Sequence, residues 1–419
     1  MQKKWSEESR EPRVLVDAGP EQAVAGTAGS PPPAAPVGAL SWVEIDRSAL
    51  AHNYAVFRHL TGGGTAGTKL MFVVKANAYG HGIVEVSRIL AELGADWLAT
   101  FSQDEALTLR DAGIRLPILV LGPTPRSLLK TAALARLSIT VASLDAMEDL
   151  ARERPGRMSV HLKIETGTNR QGLVEGDLPT LAKLSRSRAL RKDVVVEGAY
   201  THFANVEDTT DNTFAMEQLR TFRARIDRLA ALGVRPPILH TACTAASILY
   251  PETYCGMLRV GIGIYGLWPS ETTLVGARQG KLLDVHLRPV MSWKTRIAQV
   301  KRLEVGETVG YGRTHEVMRP TRIAILPVGY YNGYSRALTG RAYVLVNGRR
   351  APVLGRVMMN MTIVDVTDIP DARAGTEVVL LGRSGDQRLT AERLAGWMDT
   401  IHYEVIANVE RHGKRIVVG

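Results

Sequence analysis

The sequence predicts an α/β fold: a closed (β/α)8 barrel of the TIM type, followed by a mainly antiparallel β domain. Eight short apolar segments alternate with amphipathic helical stretches between residues 70 and 263. Eight such units in roughly 240 residues match the usual size of this barrel. The helical period then vanishes after about residue 285, and a chain of 419 residues has room for a second domain.

Residues 1–39 are predicted to form a disordered extension. They end in GTAGSPPPAAPVGA, which is rich in proline and has no apolar period. No apolar signal-peptide segment follows the N-terminal lysines. The barrel is predicted over residues 40–285, except that the strand-like segment SWVEI at 41–45 is expected to join the later β domain.

A helix and then the eight barrel strands follow in order. Asp46 can cap the helix, on which Leu50, Tyr54 and Phe57 share one face. The strands are short apolar runs, as expected where both faces are covered. In chain order they are LMFVVKA, DWLAT, PILVLG, LSITVA, SVHLKIE, VVVEGAYTH, PILHTA and MLRVGIG. An open doubly wound sheet is the alternative, but it rarely needs eight units.

Residues 286–419 are predicted to form the β domain. The segments there alternate in polarity or are β-branched, and Asn347-Gly348 is a strong hairpin signal. The predicted strands lie in MSWKTRIAQVKRL, TRIAILPVG, AYVLVNGRRAPVLG and MTIVDVTD.

Composition excludes several functional classes. The net charge of +10 is spread along the chain without an aromatic and basic module, which argues against a nucleic-acid partner. No apolar run reaches the roughly 18 residues that a membrane-spanning helix needs. Cys243 and Cys255 are too few for a disulfide framework and fit a reducing cytoplasm. No cluster of His, Cys and carboxylates has metal-ligand spacing, so no metal site is predicted.

Four basic side chains fall at or near the carboxyl ends of the predicted strands, where barrels carry their functional residues. Each one alone has an ordinary explanation as a surface ion pair, a solvated lysine or a hydrogen-bonded histidine. Lys75 closes the first strand, and a lysine at such a place can have a lowered pKa that makes its amine nucleophilic. The other three are Lys163 on the fifth strand, His202 on the sixth and Arg259 on the eighth. Arg170 lies just beyond the fifth strand. Together these positive charges need a bound anion.

A phosphate is the natural anion, because the loops after the last two strands of such barrels commonly bind one. Thr244 offers a hydroxyl at a predicted helix start after the seventh strand, and Gly261 and Gly263 follow the eighth. A phosphorylated carbonyl cofactor held by a lysine describes pyridoxal 5′-phosphate.

The motifs VVKANAYGHG, KIETGTNRQG, YTHF, LRVGIGIYGL, VGYG and GRVMMN together resemble those of alanine racemases, in order and approximate spacing from residue 41 onward. The resemblance implies that Lys75 holds pyridoxal phosphate as an aldimine and acts as one acid/base. It implies that Arg259 faces the pyridine nitrogen and that Arg170 contacts the phenolic oxygen and the substrate carboxylate. The implied phosphate ligands are Tyr79, Thr244, Gly261, Ile262 and Tyr403.

The resemblance also implies a second acid/base, Tyr311 in VGYG, which a partner subunit supplies in a homodimer. His202 would link it toward Arg259, and Met359 would lie beside the substrate carboxylate. Lys163 is the position that is often carbamylated in this family. Two bases on opposite faces of the α-carbon would interconvert L- and D-alanine, and the D-alanine would supply peptidoglycan in the cytoplasm.

Four residues depart from the family pattern: Cys243, Asn332 and Asn360 stand where asparagine, aspartate and aspartate are usual, and Glu165 replaces a common aspartate. They affect the expected substrate entrance and side-chain preference, not the catalytic groups. The alternatives left open are a serine or broad-specificity racemase, a non-catalytic pyridoxal-phosphate carrier and a decarboxylase on a related two-domain fold.

Overall fold

The computed structural model describes residues 38–62, 67–280, 285–411 and 413–419. Residues 1–37 of the predicted extension lie outside the described residues. The described chain begins with strand β1 and helix α1. Asp46 caps α1, since its carboxylate accepts a hydrogen bond from the backbone N–H of Ala49 at 2.9 Å. The bounds are β1 (Ser41–Asp46) and α1 (Arg47–Leu60).

Eight parallel strands then form the barrel, which confirms the predicted fold class. They lie in the order β8-β7-β6-β5-β4-β3-β2-β9, and backbone hydrogen bonds from Gly256 to Leu239 (2.8 Å) and from Arg259 to Ala242 (3.0 Å) join the two ends. The strands are β2 (Lys69–Val73), β3 (Trp97–Thr100), β4 (Ile118–Val120), β5 (Ser138–Val141), β6 (Met158–Lys163), β7 (Val194–Tyr200), β8 (Ile238–His240) and β9 (Met257–Val260).

Helices follow the barrel strands, except that the short segment α2 is a left-handed turn. Serine caps three of them, at Ser102, Ser143 and Ser270, each side chain accepting a backbone N–H of the first turn. The helices are α2 (Lys75–Tyr79), α3 (Ile83–Glu92), α4 (Gln103–Asp111), α5 (Leu129–Leu134), α6 (Leu144–Glu153), α7 (Leu178–Ser185), α8 (Thr213–Ala231), α9 (Thr244–Leu249) and α10 (Glu271–Gln279).

Except for β12 and β13, which form a separate two-stranded sheet, the remaining strands form a largely antiparallel sheet with path β11-β14-β17-β16-β15-β18-β10-β1-β20, and β19 joins it by pairing with β18. β1 lies inside this sheet, antiparallel to β10 and parallel to β20. The strands are β10 (Met291–Arg296), β11 (Gln299–Leu303), β12 (Thr308–Val309), β13 (His315–Glu316), β14 (Thr321–Leu326), β15 (Tyr343–Val346), β16 (Arg349–Leu354), β17 (Thr362–Asp365), β18 (Glu377–Ser384), β19 (Gln387–Leu389) and β20 (Lys414–Val418).

The prediction that helices cease after residue 285 is wrong in one place. Two short helices stand between β19 and β20: α11 (Ala391–Met398) and α12 (His402–Asn408). Thr390 caps α11 by accepting the Arg393 N–H. Both helices are too short to show a clear helical period, and one buried apolar core runs from the barrel into the sheet around them.

Candidate active site

Lys75 begins a left-handed turn directly after β2. Ala76, Asn77, Ala78 and Tyr79 all have φ of 52–53°, a conformation that costs an L-residue roughly 1–2 kcal/mol each. Such strain persists only where the surrounding structure holds it, and it is concentrated at functional sites. The turn, which is α2, sets Lys75 at one end and Tyr79 at the other.

The His81 ring hydrogen-bonds with two backbone carbonyls of this turn. Its Nδ1 lies 3.1 Å from the carbonyl oxygen of Ala78 and 3.0 Å from that of Tyr79. Burial lowers the pKa of His81 to about 4, so the ring is neutral and its Nδ1–H donates. The histidine of the KANAYGHG motif therefore has a local structural role.

The structure brings the predicted cations together at the carboxyl end of the barrel. Lys163 and Arg259 are each only 4% exposed, and both lie over the Tyr200 ring, at 5.7 and 5.1 Å from its centroid. Burial, with Arg170 and Arg259 nearby, lowers the pKa of Lys163 to about 8. Burial and then Arg170 also lower the pKa of Lys75. Two lysine amines are thus biased toward their neutral, nucleophilic forms.

The Arg259 guanidinium is fixed by its two terminal nitrogens. Nη1 donates to the carbonyl oxygen (2.7 Å) and Nδ1 (2.9 Å) of His240, and Nη2 donates to the carbonyls of Thr201 (2.7 Å) and Thr241 (2.9 Å). His202 Nδ1 lies 3.5 Å from Nη2, and burial followed by Arg259 lowers the pKa of His202 well below its usual value. Among the described residues, Nε of Arg259 has no acceptor.

A polar chain that sequence reasoning missed continues from Arg259 through the barrel interior. Because Arg259 donates to Nδ1 of His240, His240 donates from Nε2 to Nδ1 of His161 at 2.8 Å. Nε2 of His161 then faces the Glu197 carboxylate at 3.5 Å. The sequence held one signal: His161 is two residues before Lys163, and therefore on the same face of β6. Which side chains of different strands become neighbours inside the barrel depends on the sheet register, which sequence patterns do not show.

The predicted phosphate ligands gather at the other end of the lysine turn. The backbone N–H of Gly261 donates to Oγ1 of Thr244 at 3.0 Å, and a Cβ on Gly261 would lie 2.9 Å from the Tyr79 hydroxyl. The Tyr79 and Tyr403 ring centroids are 6.3 Å apart. Burial raises the pKa of both tyrosines, so their hydroxyls stay protonated. With Ile262 beginning a short 3-10 segment, this is a glycine-lined cradle of donors.

Tyr311 and Met359 lie on the β domain and have no contact with this cluster in the described part of the single chain. Tyr311 is 73% exposed and Met359 is 55% exposed. The Met359 segment is held by backbone N–H donors of Tyr330 and Tyr331, which bond the carbonyls of Met358 and Met359 at 3.0 and 2.9 Å. Both tyrosines are themselves exposed, so this face carries an aromatic and methionine-rich patch.

Glu165 holds the loop that carries Arg170. Its Oε1 accepts the backbone N–H groups of Thr166 (2.9 Å), Gly167 (2.6 Å) and Asn169 (3.0 Å). Those hydrogen bonds lower the pKa of Glu165 against the opposing effect of burial. The longer carboxylate therefore serves as an anchor for the loop.

The other three residues that depart from the family pattern make few local interactions in the described part of the chain. Asn332 accepts the Gly329 N–H at 3.1 Å, which closes its own turn. Cys243 precedes α9, and burial raises the pKa of its thiol. Asn360 is exposed. The described residues contain no group of three His, Cys, Asp or Glu side chains able to hold a metal ion.

The fold and the site define a class of protein: a barrel enzyme with an appended β domain, in which a half-buried lysine stands near buried cations and a glycine-lined group of hydrogen-bond donors. Comparison with known proteins narrows the class. Residues 45–269 match the family model "Alanine racemase, N-terminal domain", and residues 290–417 match "Alanine racemase, C-terminal domain". The chain belongs to the alanine racemase family.

Individual relatives span nearly the whole chain. An alanine racemase of Symbiobacterium thermophilum is 40% identical over 384 residues, covering 90% of this chain and 97% of the relative. One of Methanococcus maripaludis is 38% identical over 381 residues, 90% of this chain and 98% of the relative. The crystal structure of alanine racemase from Bacillus anthracis with bound L-Ala-P has a TM-score of 0.83 at 33% identity, covering 92% and 96% of the two chains.

Proposed function

We propose that this chain is a pyridoxal-phosphate-dependent racemase that interconverts L- and D-alanine. The carrying observation is the Lys75 amine, whose pKa is lowered, on a strained turn between the Arg259 cluster and the phosphate cradle. Family membership supports the same reaction. The D-alanine would supply peptidoglycan synthesis in the cytoplasm. Within the described residues no helix is long and apolar enough to span a membrane.

The residues present fit pyridoxal phosphate at both of its ends. Nε of Arg259, without an acceptor among the described residues, would donate to the pyridine nitrogen. The side chain of Arg170 would contact the phenolic oxygen and the substrate carboxylate. The phosphate would take the donors of Tyr79, Thr244, Gly261, Ile262 and Tyr403. When bound, the cofactor draws electrons from the substrate and makes its α C–H acidic.

Arg259 would determine how strong this electron withdrawal becomes. A guanidinium remains protonated in proteins, so it offers a hydrogen bond to a ring nitrogen without giving up its proton. Its hydrogen bonds to His240, Thr201 and Thr241 hold it at this position. A moderate electron sink favours return of the proton to the α-carbon over side reactions such as transamination.

Racemisation needs a proton removed from one face of the α-carbon and another returned on the opposite face. Lys75 would serve one face. Tyr311 would serve the other from a second copy of the chain, with His202 linking it toward Arg259 and Met359 lying beside the substrate carboxylate. The 73% exposure of Tyr311 and the exposed tyrosines and methionine around Met359 support a homodimer that covers these side chains.

Lys163 would carry a carbamate. It is buried among Arg170, Arg259 and the Tyr200 ring, and its pKa of about 8 leaves a substantial neutral fraction near pH 8. A carbamate would turn one of several clustered cations into an anion, which could pair with Arg170. This would offset the mutual repulsion of the cluster.

Chiral product analysis tests the function. Purified protein, supplied with pyridoxal phosphate, should convert L-alanine and D-alanine to the same mixture, and Lys75→Ala should abolish this. Faster turnover of serine or of many amino acids would favour the broad-specificity alternative. Release of CO2 would indicate a decarboxylase, and cofactor binding without any turnover would indicate a carrier.

A further inference from the structure

Two charged side chains outside the reacting cluster hold the backbone of the lysine turn α2. One is Glu105, from α4 of the barrel, and the other is Arg415, from β20. Neither is assigned a role by the motifs of the sequence. They contact opposite ends of the turn: the N–H of Ala76, directly after Lys75, and the carbonyl of Gly80, directly after Tyr79.

Glu105 uses both carboxylate oxygens to bridge two segments. Oε1 accepts the Ala76 N–H at 2.6 Å, and Oε2 accepts the N–H groups of Phe101 (2.8 Å) and Ser102 (3.2 Å). The Glu105 N–H in turn donates to Oγ of Ser102, which completes a capping box at the start of α4. The carboxylate is therefore fixed by its own helix and only one oxygen reaches the turn.

The Arg415 guanidinium donates hydrogen bonds to backbone carbonyls of the C-terminal segment and of the turn. Nε and Nη2 donate to the Gly80 carbonyl at 3.2 and 2.9 Å. Nη2 also donates to Val409 at 2.9 Å, and Nη1 donates to Gly413 at 2.6 Å and to Glu410. One guanidinium thus ties the far end of the lysine turn to the segment that follows α12.

We propose that Glu105 and Arg415 are positioning residues that keep the Lys75–Tyr79 turn in its left-handed conformation. Side chains of L-residues disfavour this conformation at four successive positions, so an unheld turn would relax. The proposal rests on the function proposed above, in which Lys75 must detach from and rejoin the cofactor in each cycle. The backbone must then stay in place while the lysine side chain moves.

The test compares Glu105→Gln and Arg415→Lys with two matched controls. Glutamine keeps the size of the side chain but has one acceptor oxygen, so either the turn or the Phe101 loop loses its acceptor. Lysine keeps the charge but cannot span the carbonyls that the guanidinium joins. Asp104→Asn and Lys414→Gln remove exposed charges from the neighbouring positions of the same helix and strand.

Three measurements distinguish positioning from general stability. In cofactor-free protein, amide hydrogen exchange of residues 76–80 should be at least tenfold faster in both test variants, with exchange of β4 unchanged. The rate at which added pyridoxal phosphate becomes fixable to Lys75 by borohydride should fall about tenfold. With alanine, kcat should fall more than tenfold while KM changes less than threefold. The two controls should behave as wild type in all three.

The outcomes are separable. If wild-type protein shows no label on Lys75, the proposed function fails, and the exchange data still judge the positioning role. If wild type is labelled and the variants exchange and label like the controls, the positioning role is wrong. Faster exchange throughout the barrel would show that Glu105 stabilises the whole fold, and would also overturn the positioning role. If Glu105→Gln does not fold, the test rests on Arg415→Lys, because Arg415 lies on a different element.

Discussion

At the scale of single residues, the site concentrates positive charge, because Glu105 acts on Lys75 and Glu165 acts on Lys163 only from beyond ion-pair distance. None of the ion pairs in the described part of the chain involves Lys75, Lys163 or Arg259. Burying positive charge without an anion is costly. We therefore expect a phosphate, a substrate carboxylate or a carbamate on Lys163 to neutralise part of this charge.

Lys163 offers a direct test of this view. Only a neutral amine attacks CO2, and burial lowers the pKa of Lys163 from 10.5 to about 8. Attack on CO2 forms the carbamate and releases a proton, so its initial rate at fixed dissolved CO2 follows the fraction of neutral amine. That rate should level off above about pH 8 rather than keep rising toward 10.5. The time course of the carbon-13 NMR signal with labelled CO2 measures it. The signal should be absent from Lys163→Arg, and a rate that still rises steeply up to pH 10.5 would contradict the prediction.

Sequence reasoning could place most of these residues but not their surroundings. Lys75, His202 and Arg259 follow or end strands, and strand ends meet at one rim of a barrel. The left-handed turn after Lys75 could not be predicted, because Ala76–Tyr79 contains no glycine to indicate positive φ. The His240–His161–Glu197 chain was missed because it joins three strands through the interior.

At the scale of elements, the lysine turn packs directly against α12, the helix that carries Tyr403. A Cβ on Gly80 would lie 2.0 Å from the carbonyl oxygen of Ile406. Only glycine allows this approach. α12 was itself missed by sequence reasoning, since a seven-residue helix shows less than two full periods. Gly80 stands in the motif VVKANAYGHG, but nothing in the sequence identifies the helix that it contacts.

Gly80→Ala and Gly113→Ala separate backbone strain from this contact. Both glycines have nearly the same φ, 82° and 84°, but Gly113 has nothing within 4 Å of its added Cβ. Gly113→Ala should lower the free energy of unfolding by about 1 kcal/mol, the ordinary left-handed penalty. Gly80→Ala should lower the free energy of unfolding by more than this. It should also weaken pyridoxal-phosphate binding at least tenfold, because the added Cβ displaces α12. Denaturant unfolding and cofactor titration measure both; equal effects would show that α12 does not matter.

At the scale of the whole molecule, the two proposed bases lie in different parts of the fold. Lys75 lies in the barrel, whereas Tyr311 lies exposed on the β domain. The sequence predicted the two-part fold because strand and helix periods separate cleanly along the chain. It also predicted that residues 41–45 join the later sheet, but it could not identify the partners of β1, which are β10 on one side and β20 on the other.

Mixed dimers test whether the site is shared. Lys75→Ala and Tyr311→Phe homodimers should both be nearly inactive. After random subunit exchange about half of the dimers are mixed, and each has one intact site, so about a quarter of wild-type activity should return. Mixing without exchange is the control and should restore nothing. If mass measurement confirms exchange and activity stays at the parental level, both bases belong to one chain.

The position of β1 has a consequence for the order in which the active site matures. Trp42 pairs with Lys294 on one side and with Lys414 on the other. During synthesis the barrel strands can pair with their sequence neighbours as they emerge, but β1 waits for a partner made at the very end. Arg415 belongs to that late strand. If Arg415 holds the lysine turn as proposed, the turn is secured at both ends only after β20 has been translated. We therefore expect competence for chemistry to come last.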